Sequence, residues 1–102
     1  WVKRLEKEVQ SRTKDIDFSI EILAQHMGTS VRSLQRKLKK ATGLTTQQYI
    51  REVRLQMARS FLEKRVYHTV SEVCTAVGFQ SSKHFSKIFK ERYGKSPSEY
   101  LG

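Results

Sequence analysis

The chain holds one cysteine and one proline in 102 residues. A lone Cys74 leaves no internal disulfide to staple a small fold and fits a reducing compartment. Paired C-x-x-C spacing is therefore missing, as are H-E-x-x-H, a Walker loop and G-x-S-x-G, and His26, His68 and His84 are scattered. No metal site, cofactor or catalytic nucleophile is expected, and the chain reads as a non-enzyme. No signal peptide is expected, and no apolar run approaches the roughly 18 residues that a membrane span needs. The expectation is a cytoplasmic segment with no membrane contact. Trp1 is not a natural start, so the chain reads as part of a longer protein.

Acidic residues are the other scarcity. Ten Asp and Glu face twenty Lys and Arg, a net charge of +10, and five of the ten acids (Glu6, Glu8, Asp15, Asp17, Glu21) precede residue 22. The remainder is strongly cationic, which points to a polyanionic partner, either nucleic acid or an anionic membrane surface. With 37% hydrophobic residues the chain should still fold, into one modest core or two small ones sharing an element.

What is present is organised around residues 45–64, a stretch without Gly or Pro that is rich in helix formers. Thr45 and Gln48 form a T-x-x-Q capping box that places the helix start at Thr46. At 100° per residue, Tyr49, Ile50, Val53, Met57 and Phe61 form one apolar band. Leu55, Ala58 and Leu62 form a second, while Gln48, Glu52, Gln56, Arg59, Ser60 and Glu63 make the wet arc. Two broad bands predict a strut with a packed body on each side. Arg51 and Arg54 interrupt the bands and are expected to make structural hydrogen bonds in preference to contacts with DNA.

On either side the same pattern recurs. Residues 1–13 form a predicted amphipathic helix with Val2, Leu5 and Val9 inward, and Lys14-Asp15-Ile16-Asp17 reads as a loop. Ser19 is a candidate N-cap for a short helix carrying Ile20, Leu23, Ala24 and Met27, stopped by Gly28. Ser30 caps a second helix with Val31, Leu34, Leu38 and Ala41, ended by Gly43. Beyond the strut, Thr69 and Glu72 cap a short helix with Val70, Val73, Cys74 and Val77, stopped by Gly78. Ser81 or Ser82 opens a helix with Phe85, Ile88, Phe89 and Tyr93, ended by Gly94, and Ser96-Pro97-Ser98-Glu99 opens a last turn with Tyr100 and Leu101.

The halves align residue by residue. Leu23, Ala24, Met27 and Gly28 match Val73, Cys74, Val77 and Gly78 at an offset of 50. Ser30, Leu34, Leu38, Gly43, Tyr49 and Ile50 match Ser81, Phe85, Phe89, Gly94, Tyr100 and Leu101 at an offset of 51. One extra residue in the second turn (Phe79-Gln80 against Thr29) accounts for the change. This is a tandem repeat of a helix-turn-helix unit. Cys74 takes the place of Ala24 and reads as a small buried hydrophobe.

The second unit reads G-F-x-S-x-x-x-F-x-x-x-F-K-x-x-x-G-x-S-P-x-x-Y, carried by Gly78, Phe79, Ser81, Phe85, Phe89, Lys90, Gly94, Ser96, Pro97 and Tyr100. With two helix-turn-helix units around a long helix, residues 18–102 resemble the AraC/XylS-type DNA-binding domain. The resemblance implies an all-α fold of about seven helices. Its parts would be an N-terminal helix or linker over 1–17, a homeodomain-like unit over 18–44, a connecting helix over 45–64 and a second unit over 65–102. It also implies the output domain of a transcription regulator, resembling those of hybrid two-component regulators. The implied partners are double-stranded operator DNA and RNA polymerase, with a sensor or receiver domain upstream.

In such units the second helix enters the major groove. The first reader, residues 30–42, carries Arg32, Arg36, Lys37, Lys39 and Lys40 and no acid. By similarity to the family's base-contacting positions, Arg32, Gln35 and Arg36 are the base readers, since Arg pairs bidentately with guanine and Gln with adenine. Ser30, Ser33, Lys37, Lys39 and Lys40 are candidate phosphate contacts. In the second reader, residues 81–93, Ser82, Lys83, Ser86 and Lys87 match the base-facing positions, and Gln80, Ser81, His84 and Lys90 are candidate phosphate contacts. None of the four base-facing residues offers the fork of Arg or the paired groups of Gln, so the first unit should set most of the sequence preference. A strut of residues 46–64, about 28 Å long, compares with about 34 Å per turn of B-DNA, so the readers could enter successive major grooves. The alternatives are an RNA-binding module, disfavoured because the aromatics sit at core spacing, and a helical protein-interaction or membrane-surface module, disfavoured by the repeated short capped helices.

Overall fold

A computed structural model describes residues 1–12 and 20–101, and every regular element among them is helical. The order is α1 (Val2–Ser11), α2 (Ile20–His26), α3 (Val31–Thr42), α4 (Thr46–Glu63), α5 (Val70–Ala76), α6 (Ser82–Tyr93) and α7 (Pro97–Leu101). The expected loop at Lys14-Asp15-Ile16-Asp17 and the expected cap Ser19 lie outside the described residues.

The helix boundaries follow the capping residues. Thr45 and Gln48 close the expected reciprocal box at α4, with Gln48 N–H donating to Thr45 Oγ1 at 3.2 Å and Thr45 N–H to Gln48 Oε1 at 3.0 Å. At α5 only half of a box forms. Thr69 Oγ1 accepts from Glu72 N–H at 3.1 Å, but the Glu72 carboxylate takes the Thr69 hydroxyl proton at 3.0 Å. At α7, Ser96 N–H donates to Glu99 Oε2 at 2.7 Å, and Pro97 occupies the first helical position, where no N–H is needed.

The repeat is visible in the backbone hydrogen bonds. After α2, the N–H groups of Met27, Gly28 and Thr29 donate to Leu23, Gln25 and Ala24; after α5, those of Val77, Gly78 and Phe79 donate to Val73, Thr75 and Cys74. These are the same three bonds, shifted by fifty residues.

The chain divides into two compact units, Trp1–Val53 and Arg54–Gly102, so the boundary falls inside α4. The first unit buries Leu5 and Val9 of α1, Leu23 and Ala24 of α2, Met27, Leu34 and Leu38 of α3, and Tyr49, Ile50 and Val53 of α4. Helix α1 is thus a working part of this unit, tied to α2 by the Arg4 guanidinium donating to the His26 carbonyl at 3.2 Å. Val2 and Ala41, expected inward, are exposed.

The second unit packs Leu55, Ala58, Leu62, Val73, Cys74, Val77, Phe85 and Phe89, with Met57 and Phe61 against them. Burial on α4 therefore divides end to end and not into two lengthwise bands: Met57 and Phe61 do not continue the Tyr49–Val53 surface but join the second core. Between the units, large and small residues exchange. Leu23 and Met27 become the smaller Val73 and Val77, while Leu34 and Leu38 become Phe85 and Phe89. One change compensates the other, which keeps interior volume roughly constant at native packing density. The Phe89 ring then meets Phe85, Tyr93 and Tyr100 at 5.7, 4.8 and 5.7 Å between centroids.

Candidate nucleic-acid interface

Each second helix of a unit is anchored at both ends by the same chemistry. Ser30, in extended conformation, accepts from Ser33 N–H at 3.2 Å, and Ser81 accepts from His84 N–H at 3.2 Å. Of the two serines expected as the α6 cap, Ser81 is the one that serves. Both helices end on a left-handed glycine, Gly43 at φ 77° and Gly94 at φ 74°, whose N–H returns to the carbonyl of Lys39 or Lys90.

Leu34 and Leu38 hold α3 to its core, and Phe85 and Phe89 hold α6. Those anchors fix which residues turn outward. On α3 the exposed side chains include Arg32, Gln35, Arg36, Lys37, Lys39 and Lys40, with Ser30 exposed and Ser33 half-buried. On α6 they include Ser82, Lys83, Lys87 and Lys90, with Gln80, Ser81 and His84 exposed beside them and Ser86 half-buried. At the offset of 51, Arg32, Gln35 and Arg36 coincide with Lys83, Ser86 and Lys87, so the two faces share one register.

Four of the candidate phosphate contacts have engagements of their own. Lys39 Nζ donates to the Gly43 carbonyl at 2.9 Å, closing the C-terminus of α3. Lys37 Nζ lies 5.7 Å from the Trp1 ring centroid, a cation–π contact within the first unit. Its counterpart Ile88 packs against the second core, so this register points sideways toward neighbouring helices. Ser30 and Ser81 use their oxygens as caps, leaving the hydroxyl protons to donate.

The field at the start of each reader is positive. Neither α3 nor α6 has an acid in its first turn, a feature shared with α1 and α4, whereas α2, α5 and α7 carry Glu21, Glu72 and Glu99 there. The N-terminal N–H groups of a helix carry a partial positive charge that favours anions, and an acid in the first turn would cancel it. The two helices assigned to reading are therefore cationic at the end that an HTH unit presents to the groove.

Other parts of the surface carry different chemistry. Among the described residues no group of three or more His, Cys, Asp and Glu could hold a metal ion. His26 ends α2 with Nε2 at 2.8 Å from an Arg12 nitrogen and Nδ1 at 4.0 Å from Glu8, which makes it a link to α1. Cys74 is buried, with Sγ 3.3 Å from the Phe79 carbonyl. Arg92, on α6 but in neither set of expected contacts, stacks on Tyr93 at 4.9 Å. The expected hydrogen bonds of Arg51 and Arg54 are not formed among the described residues: Arg51 is exposed, and Arg54 Nε is buried with no partner. Nothing in helical periodicity signals that a cation in an apolar band lacks its acceptor.

Comparison with known proteins agrees with this architecture. The family model described as a helix-turn-helix domain matches residues 23–102. Histidine kinase P4 of Formosa agariphila is 32% identical over 99 residues, covering 97% of this chain and 7% of that protein. The HTH-type transcriptional activator RhaS of Salmonella arizonae is 39% identical over 79 residues, covering 78% of this chain and 28% of RhaS. Among solved structures, the DNA-binding domain of AdpA, a global transcriptional factor crystallised with a target DNA, superposes with a TM-score of 0.82 at 26% identity, covering 98% of this chain and 88% of that one. The chain thus spans a small fraction of the curated relatives' length.

Proposed function

The chain belongs to the AraC/XylS-type helix-turn-helix family of DNA-binding domains, and we propose that it reads double-stranded operator DNA through α3 and α6 in successive major grooves. The observation that carries this reading is the shared register of two exposed faces, each cationic and free of acid in its first turn. Arg32, Gln35 and Arg36 read bases from α3, and Ser82, Lys83, Ser86 and Lys87 from α6. Ser30, Ser33, Lys37, Lys39, Lys40, Gln80, Ser81, His84 and Lys90 hold phosphates and set orientation. At 18 residues, α4 is about 27 Å long, near one helical turn of B-DNA, so two half-sites about one turn apart fit the design.

The wider setting is part of the same proposal. The share of longer relatives that the chain spans supports an output domain of a larger cytoplasmic regulator, joined to an upstream sensor or receiver region and working with RNA polymerase. The domain itself binds without catalysis. RNA is the weaker reading because the rings of Phe85 and Phe89 are fully buried and provide no platform for unstacked bases.

Selection from a randomised duplex pool at about physiological salt tests this, because salt weakens non-specific phosphate binding. Two conserved blocks about one helical turn apart are expected. Binding that vanishes with salt and returns no motif would sink the base-reading assignments.

A further inference from the structure

Three helices of this fold close in the same way, and one of them does so under strain. After α4, the N–H groups of Lys64, Arg65 and Val66 donate to the carbonyls of Ser60, Leu62 and Phe61. These bonds repeat, one for one, the closures after α2 and α5. The motif puts its second donor residue in the left-handed region. After α2 and α5 that residue is Gly28 at φ 68° and Gly78 at φ 88°, but after α4 it is Arg65 at φ 52°. Among the described residues Arg65 is the one non-glycine at positive φ. A Cβ is disfavoured there, and the closure uses backbone groups alone, so glycine would serve it better. Strain kept at one such position points to a use for the side chain.

That side chain is exposed, in a loop where Lys64, Arg65 and His68 are all exposed and residues 64–68 include no acid. The loop is fastened from within. Tyr67 meets the Phe61 ring edge-on, with 5.4 Å between centroids, and both pack against the second core. Arg65 therefore extends from a fixed base.

The place of the loop identifies its partner. In the second unit the C-terminal half of α4, then α5, then α6 pack into one core as a three-helix unit. When the third helix of a homeodomain-type unit enters the major groove, the loop between the first two lies against the DNA backbone. Here that loop is the one carrying Arg65. A planar guanidinium pairs bidentately with phosphate oxygens, which suits it to that contact.

We infer that Arg65 clamps a DNA phosphate from the α4–α5 loop, outside both readers. This rests on the duplex-DNA reading above and adds a contact that the sequence pattern did not single out.

The test is fluorescence anisotropy on the selected duplex and on an unrelated duplex of equal length, at several salt concentrations. It compares wild type, Arg65→Gly, Arg65→Lys and the exposed α1 control Lys3→Gln. Arg65→Gly should melt at or above the wild-type temperature, because it relieves the left-handed strain. It should nevertheless bind both duplexes roughly tenfold more weakly and reduce the slope of log K against log salt by about 0.9. Arg65→Lys should keep that slope through its charge while losing part of the affinity with the fork. Lys3→Gln should match wild type. A wild-type slope for Arg65→Gly overturns the assignment and turns the loop toward an acidic protein partner. An equal fall for Lys3→Gln, or a lower melting temperature for Arg65→Gly, overturns it as well. Wild type that binds neither duplex would overturn the DNA reading itself, and this inference with it.

Discussion

Thr46 shows how a single polar atom can be left over by a repeat. It is buried at 2% exposure, and its Oγ1 has no partner. At the offset of 51 its place is taken by Pro97, which brings neither a hydroxyl nor an N–H. Thr46→Val keeps the shape and removes the unpaired oxygen, so it should stabilise the protein by about 1 kcal/mol in a thermal melt. Tyr49 has the opposite exposure to pH. Burial first, and then the negative charge of Glu6, raise its phenol above the ordinary 10.0. The folded state therefore favours the neutral ring. Its contribution is intact below about pH 10 and is lost as pH rises toward the folded value. Tyr49→Phe should flatten the alkaline limb of stability, read as a smaller drop in melting temperature between pH 8 and pH 11.

At the scale of elements, the caps decide where helices stop. A Cβ built on Gly43 or Gly94 meets nothing within 4 Å, so the cost of Gly→Ala there is conformational and not steric. Gly43→Ala and Gly94→Ala should each lose about 1 kcal/mol, with Gly43→Asn losing less because Asn tolerates the left-handed region. Ser30→Ala and Ser81→Ala should also cost about 1 kcal/mol each. Urea titrations check this: the midpoint should move at unchanged m-value. Helix α1 is the instructive element. Its apolar spacing announced a helix, but its membership of the first unit depends on Leu5 and Val9 meeting residues that come many positions later.

For the whole molecule, the proposed reading assigns affinity to charge and specificity to the difference between the readers. The net charge of +10 attracts any duplex, so discrimination must come from side chains that can match base edges. Arg36 has the fork for a guanine and its counterpart Lys87 has a point charge. Arg36→Ala should cost about 1–3 kcal/mol on the selected duplex and blur one base position. Lys87→Ala should weaken all duplexes more evenly. Competition mobility shifts with mutated half-sites separate the two patterns.

The sequence by itself determined the helices, their caps, the repeat and the outward register of the reader residues. All of these depend on spacings of three, four or fifty residues and on residue-specific backbone chemistry, which a linear chain displays. Ser30, Gly43 and Gly94 could be placed in advance, and the α6 cap narrowed to Ser81 or Ser82, because a cap acts within its own turn. Tertiary structure alone decided how α4 divides its buried surface, with Met57 and Phe61 joining the second core, and left Arg54 and Thr46 without partners. Burial and satisfaction depend on which distant atoms arrive at a site. Periodicity gives the direction of a side chain but not what waits there.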